Sequence, residues 1–171
     1  MSTLKSATTS ELLDRIQSGD SQKIIEAARE ISSRQEGSAG PYLLDVLRMT
    51  NDAAVRNAVA LALSDLKDAS AFDVLVDLVK SERTHSNRGT LLYALGAYDC
   101  SSLLPLLLDL VIDGNFEVSR QAFSLISGIE IQLDESTWQD YLKRLRSAVL
   151  VSTEERRPLL EELMSRFDQN G

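Results

Sequence analysis

Several residue types are scarce in this sequence, and each shortage removes a class of protein. The 171 residues include one cysteine, Cys100, and one histidine, His85. A lone thiol forms no intrachain disulfide, and with a lone imidazole it builds no Cys/His metal constellation, so a reducing compartment fits best. Nucleophilic and acid–base catalysis near neutral pH draws most often on histidine. His85 stands in the polar stretch Glu82-Arg83-Thr84-His85-Ser86 with no matching partner in the sequence, and reads as a surface loop residue. Cys100 follows Asp99, whereas a reactive thiol needs a cationic neighbour. No Walker loop, G-x-G-x-x-G, zinc spacing or Asp-x-Asp-x-Asp-Gly calcium loop is present. The paired acids Glu154/Glu155, Glu161/Glu162 and Asp73/Asp77 fall on polar helix faces, where solvated charge is the ordinary reading. The expectation is a protein that is not an enzyme and carries no cofactor or metal.

Other shortages narrow the fold and the partner. With 3 Pro and 8 Gly against 43% apolar residues, the chain can bury a core and is neither disordered nor collagen-like. Its length suits one domain, 1–171. Aromatics are only 5% while Leu and Ala are plentiful, which favours helix over strand. No stretch approaches the roughly 18 uninterrupted apolar residues of a membrane span, and Met1-Ser2-Thr3-Leu4-Lys5 lacks a signal-peptide run. A soluble, cytoplasmic protein with no membrane partner is expected. Cations are in deficit: 18 Lys and Arg against 26 Asp and Glu give a net charge of −8. Phosphate affinity comes from clustered cations, so nucleic acid is an unlikely partner. The excess of acids has two readings, a charged face that keeps a small protein soluble, which is the ordinary one, and a surface over the C-terminal two thirds that meets a basic protein.

What the chain does contain is a repeat. Laid against itself at an offset of about 31 residues, it aligns four amphipathic segments, a spacing in the range of helical repeats. The segment from Val55 to Leu63 places apolar residues at 55, 58, 59, 62 and 63, the stripe of a half-buried helix. At that offset Ile24, Ala28 and Ile31 fall under Val55, Val59 and Ala62. Leu91, Ala94 and Leu95, then Ala122, Leu125 and Ile126, fall under Val59, Ala62 and Leu63.

A second helix precedes each one, over 10–17, 41–48, 71–81 and 102–112, so each repeat is a helical hairpin. The repeats run approximately 10–35, 41–67, 71–98 and 102–128. A fifth hairpin, 136–167, follows a linker that breaks the spacing; Ile129 to Leu133 within that linker reads as a connection rather than a strand. Gly19-Asp20, Asn51-Asp52, Asp113-Gly114-Asn115 and Asp134 sit between the stripes, where side-chain oxygens can satisfy the free N–H groups that begin a helix. Pro41 suits a first helical position. Ser152-Thr153-Glu154-Glu155 has capping-box spacing, but Pro158 follows within a turn, so the last helix either starts there or bends there. Neither helix of a pair hides its apolar face alone, and stacked hairpins share one continuous core. The ends of the stack are polar, from Lys5/Ser6/Thr8/Thr9/Ser10 to Asp168-Gln169-Asn170-Gly171.

Pro41-Tyr42-Leu43-Leu44, the turn Asn51-Asp52, and Val55-Arg56 followed by Ala58, Ala60, Ala62 and Leu63 resemble a HEAT repeat of the short, phycobilisome-lyase type. The likeness covers residues 10–128. The Val-Arg pair becomes Asn87-Arg88 in the third repeat and Val118-Ser119 in the fourth, with Arg120 displaced by one. The resemblance implies an all-α, right-handed α-α superhelix of four to five helical hairpins, whose second helices line a concave, protein-binding side.

On that side one row across the repeats reads Arg29, Ala60, Leu92, Phe123 and the next Glu30, Leu61, Tyr93, Ser124. Leu61, Leu92, Tyr93 and Phe123 would form an apolar strip flanked by Arg56, Arg88 and Arg120, the kind of aromatic and arginine anchors enriched at interfaces. The alternative is that these side chains pack inward; Leu61 and Leu92 turn inward on a phase error of one residue. Trp138 and Tyr141, with Leu142 and Leu145, read as core.

The expected function is a protein-binding module, in its specific form an inhibitor or immunity-type protein for a basic partner. The alternative is a bilin lyase or chaperone, with Tyr93, Tyr98 and Phe123 against a tetrapyrrole. HEAT-like DNA glycosylases share only the architecture, because they need a basic groove.

Overall fold

A computed structural model describes residues 7–130 and 133–170, without the side chains of 167–170. The Lys5 and Ser6 end of the polar start, residues 131–132 of the linker and Gly171 lie outside the described residues, as do the side chains of Asp168, Gln169 and Asn170. Every regular element among the described residues is helical. They fall into two compact units, 1–98 and 99–171, divided at the junction between the third and fourth hairpins.

The first unit holds three hairpins. The helices are α1 (Thr9–Ile16) with α2 (Ser21–Ser33), α3 (Gly40–Met49) with α4 (Ala53–Asp65), and α5 (Ala71–Lys80) with α6 (Gly89–Leu95). Their starts follow from side-chain chemistry. Thr8 and Glu11 form a reciprocal capping box on α1, and the carboxylates of Asp20 and Asp52 accept from the first N–H groups of α2 and α4. Pro41 stands in the first turn of α3, where its missing N–H costs no bond.

The ends of α2 and α4 repeat one another too. Gln35 and Lys67 adopt left-handed backbone, φ 57° and 52°, and the next N–H groups, of Glu36 and Asp68, return to the Ile31 and Leu63 carbonyls at 3.1 Å. First helices pack on first helices and second on second, α1 on α3 on α5 and α2 on α4 on α6. Leu12, Ile16, Ile31, Leu43, Leu47, Leu63, Leu75 and Leu91 are fully buried along the seam. Polar ties cross it at its edges: the Ser21 hydroxyl donates to Asp52 at 2.7 Å and the Ser32 hydroxyl to Asp65 at 2.6 Å. The Tyr98 hydroxyl lies 3.2 Å from the Leu63 carbonyl and 3.1 Å from that of Asp68.

The register of this stack departs from the sequence alignment by a single position. Asp20 and Asp52 cap equivalent helices, and the buried set Ile24, Ala27, Ala28, Ile31 recurs in the next hairpin as Arg56, Val59, Ala60, Leu63. Ile24 is therefore the counterpart of Arg56, and not of Val55 as the sequence offset had it. The same step carried forward from Val59, Ala60 and Leu63 reaches Leu91, Leu92 and Leu95, also buried. α4 is held between α2 and α6 as well as by its own partner α3, so its buried face is wider than one stripe and admits both readings of the phase.

The second unit holds two hairpins, α7 (Leu104–Asp113) with α8 (Phe116–Ile126) and α9 (Glu135–Val151) with α10 (Arg157–Asn170). α7 packs on α9 and α8 on α10. Asn115 and Asp134 cap α8 and α9 through their side chains. The fifth hairpin is thus present, and its last helix starts at Arg157, with Pro158 as its second residue, and not at the Ser152 to Glu155 spacing. Trp138, Tyr141, Leu142 and Leu145 are buried, as expected of core.

Candidate functional site

The seven residues singled out as a binding strip separate into different environments. In the first unit, Leu92 is fully buried, and Ala60 in the same row is too. Both belong to the seam between second helices because the true register aligns them with Ala28, so Leu92 is withdrawn from the surface strip. Arg56 is 2% exposed and likewise offers nothing to a partner. Its Nε makes no hydrogen bond, and burial, followed by the nearby Arg83 charge and opposed by Asp52, lowers its pKa. Arg88 is half-buried, and its Nη2 lies 3.5 Å from the Ser81 carbonyl.

Leu61 and Tyr93 remain on the surface, and the corrected register gives them a third member. Arg29, Leu61 and Tyr93 occupy equivalent positions on α2, α4 and α6; Leu61 is half-buried and Tyr93 is 64% exposed. Between α2 and α4 this face forms a groove of about 440 Å³, lined by Ile25, Arg29, Ala54, Asn57, Ala58, Leu61 and Asp65 among others. Asn57 stands at its wall with its Oδ1 buried.

In the second unit, Arg120 is exposed with its guanidinium 5.5 Å from the centre of the Phe116 ring. Phe123 is half-buried under Arg166, 5.2 Å from its ring centre.

His85, Cys100 and Tyr98 stand in three different environments. His85 is exposed beside Glu82 in a short 3₁₀ segment, Glu82–Asn87. Cys100 is buried, and desolvation, reinforced by Asp99, pushes its thiol pKa up. Tyr98, a contact residue in the pigment reading, uses its hydroxyl on the end of α4 and packs its ring 5.9 Å from Phe72; burial, with Asp68 nearby, raises its pKa to about 12. Among the described residues no helix is long and apolar enough to cross a membrane.

Sequence reasoning missed a second groove in the first unit, about 680 Å³, between the turn that follows α1 and the outer face of α3. Tyr42, Val46 and Met49 line it, opposite the buried Leu43, Leu44 and Leu47; Met49 is 79% exposed. The signal was an apolar i, i+4, i+7 stripe on the side of α3 that the core does not use.

Stacked two-helix hairpins, with first helices on first and second on second, define an α-solenoid. A family model described as HEAT repeats matches residues 9–96, α1 to α6, and the chain belongs to the HEAT-repeat family. No curated protein and no solved structure matches it.

Proposed function

We propose that this chain is a non-enzymatic binding module that engages a basic protein through the second-helix face of residues 21–97, acting as an inhibitor or immunity-type protein inside the cell. The protein-interaction and scaffold role that HEAT repeats generally serve supports the coarser part of this reading. The observation that carries the reading is the row Arg29, Leu61, Tyr93. An exposed tyrosine, a half-buried leucine and an arginine in one register across three packed helices form a preformed anchor set, with little ordering entropy to lose on binding.

The basic character of the partner rests on charge. Residues 99–171 hold 13 acids against 7 bases and residues 1–98 hold 13 against 11. Such a field steers a cationic partner and speeds encounter at low salt. The non-enzymatic reading is supported by the exposed His85 and the buried, proton-retaining Cys100.

The test is affinity capture from the native lysate followed by titration of the purified partner against the wild type, Tyr93→Ala and Leu61→Ala. Each variant should weaken binding by at least about tenfold, as expected for an interface anchor. A partner bound equally by all three proteins would refute the assignment of this face.

A further inference from the structure

Twice among the described residues, the end of a first helix is closed by an arginine from the next hairpin's turn. Arg83 donates from Nη2 to the Arg48 carbonyl, in the last turn of α3, at 2.9 Å. Arg156 donates to the Val111 carbonyl at 2.7 Å and to the Ile112 carbonyl, at the end of α7. Carbonyls in a helix's last turn lack intrahelical donors and carry partial negative charge, so a guanidinium matches them in both charge and hydrogen-bond sense.

Among the described residues, the junction between the first two hairpins lacks such an arginine. The turn of the second hairpin, Thr50-Asn51-Asp52, borders the end of α1 but carries no arginine, whereas Ser81 to Arg88 in the third hairpin includes a 3₁₀ segment that holds Arg83. The 680 Å³ groove lies at this junction, with Ile16 and Gln17 at the end of α1 on one wall. Its charged lining is Asp45 and Asp52, and no described lysine or arginine lines it. Arg48, outside the lining, approaches Asp45 at 3.6 Å on the exposed side of α3. The groove at the corresponding junction of the second unit, about 530 Å³, is lined by Lys143, Arg144 and Arg156, with Arg144 paired to Asp109 at 2.7 Å and Asp113 at 3.1 Å. The first groove therefore has the same setting with the cation missing.

We infer that the groove beside α1 receives an arginine side chain from a partner protein. The guanidinium faces the end of α1 and the Asp45 and Asp52 carboxylates, and an apolar neighbour of that arginine rests on Tyr42, Val46 and Met49. This is a second contact surface, and it does not rely on the Arg29, Leu61, Tyr93 row.

The probe is a blocked Leu-Arg-Leu-Arg-Leu peptide, compared with the same peptide carrying neutral citrulline for both arginines, titrated into the full chain and followed by amide NMR. Shifts should be confined to residues 16–24 and 42–55, and the citrulline peptide should bind at least about tenfold more weakly, the loss of a charge-assisted bond pair. Asn51→Arg, which supplies the cation in cis, and Met49→Lys on the exposed rim should each abolish binding, while Tyr93→Ala leaves it unchanged. The inference is overturned by equal binding of the two peptides, by shifts that map to residues 99–171, by undiminished binding to Asn51→Arg and Met49→Lys, or by no shifts at millimolar peptide.

Discussion

Gly114 has little room for change. A Cβ there would stand 2.3 Å from the Leu110 carbonyl oxygen and 2.7 Å from Val118 Cγ1, so the backbone that ends α7 and the first turn of α8 would both have to move. Gly114→Ala is expected to destabilise residues 99–171 by about 1–3 kcal/mol, the usual cost of overpacking. Chemical denaturation monitored by Trp138 fluorescence checks this, and an unchanged midpoint would contradict it. At the same scale, the sequence was legible where one atom decides the outcome and opaque where a phase does. Asp20, Asp52, Asn115 and Asp134 were readable as caps because each sits next to the start of an apolar stripe and has the oxygen the helix needs. Leu92 was not, because α6 buries Leu91, Leu92 and Leu95 together, and apolar periodicity does not distinguish two adjacent buried positions from one buried and one exposed.

At the scale of elements, the carboxylate caps make helix starts sensitive to acid. The Ser21 hydroxyl and then the Val55 and Ala54 N–H groups hold the pKa of Asp52 below the usual carboxylate value, and N–H groups from Lys23 and Gln22, with the Lys23 charge, act likewise on Asp20. For Asp134 the Thr137 hydroxyl comes first, then the Thr137 N–H. A carboxylate with a depressed folded pKa contributes stability that is fully present above its unfolded pKa, about 3.9, and lost as pH falls through the folded value. The urea midpoint is therefore expected to be flat above about pH 5 and to fall below about pH 4, and Asp52→Asn should remove part of that fall. A midpoint independent of pH down to strongly acid conditions would contradict the capping account.

The hairpins themselves were legible from periodicity and punctuation, including the fifth. The start of α6 was not: Thr84, the counterpart of Asp52 in the third hairpin, is buried and turns its hydroxyl back to the Leu78 and Ser81 carbonyls, so it cannot cap a following helix. The chain instead runs through a 3₁₀ segment, and α6 begins only at Gly89. The groove beside α1 went unread for a related reason. The Tyr42, Val46 and Met49 stripe marks one wall, but the facing wall comes from the turn after α1, which the periodicity of α3 does not encode.

For the whole molecule, the functional account depends on second helices stacked in the register that the Asp20 and Asp52 caps set, because that register decides which side chains a partner can touch. It places Arg29, Leu61 and Tyr93 on one open row and Ala28, Ala60 and Leu92 in the seam. Shifting it by a single position would interchange the rows and withdraw the proposed interface. Net charge and composition indicate the character of the partner and are silent on the row. The direct measurement is the rate of thiol labelling in the native protein at single cysteines placed at Arg29, Tyr93, Ala60 and Leu92, in a background where Cys100 is replaced by Ala. Cysteines at Arg29 and Tyr93 should react at the rate of an unfolded control, and those at Ala60 and Leu92 should stay protected until the protein is denatured. Rapid labelling at Leu92 together with protection at Tyr93 would contradict the register and the binding face built on it.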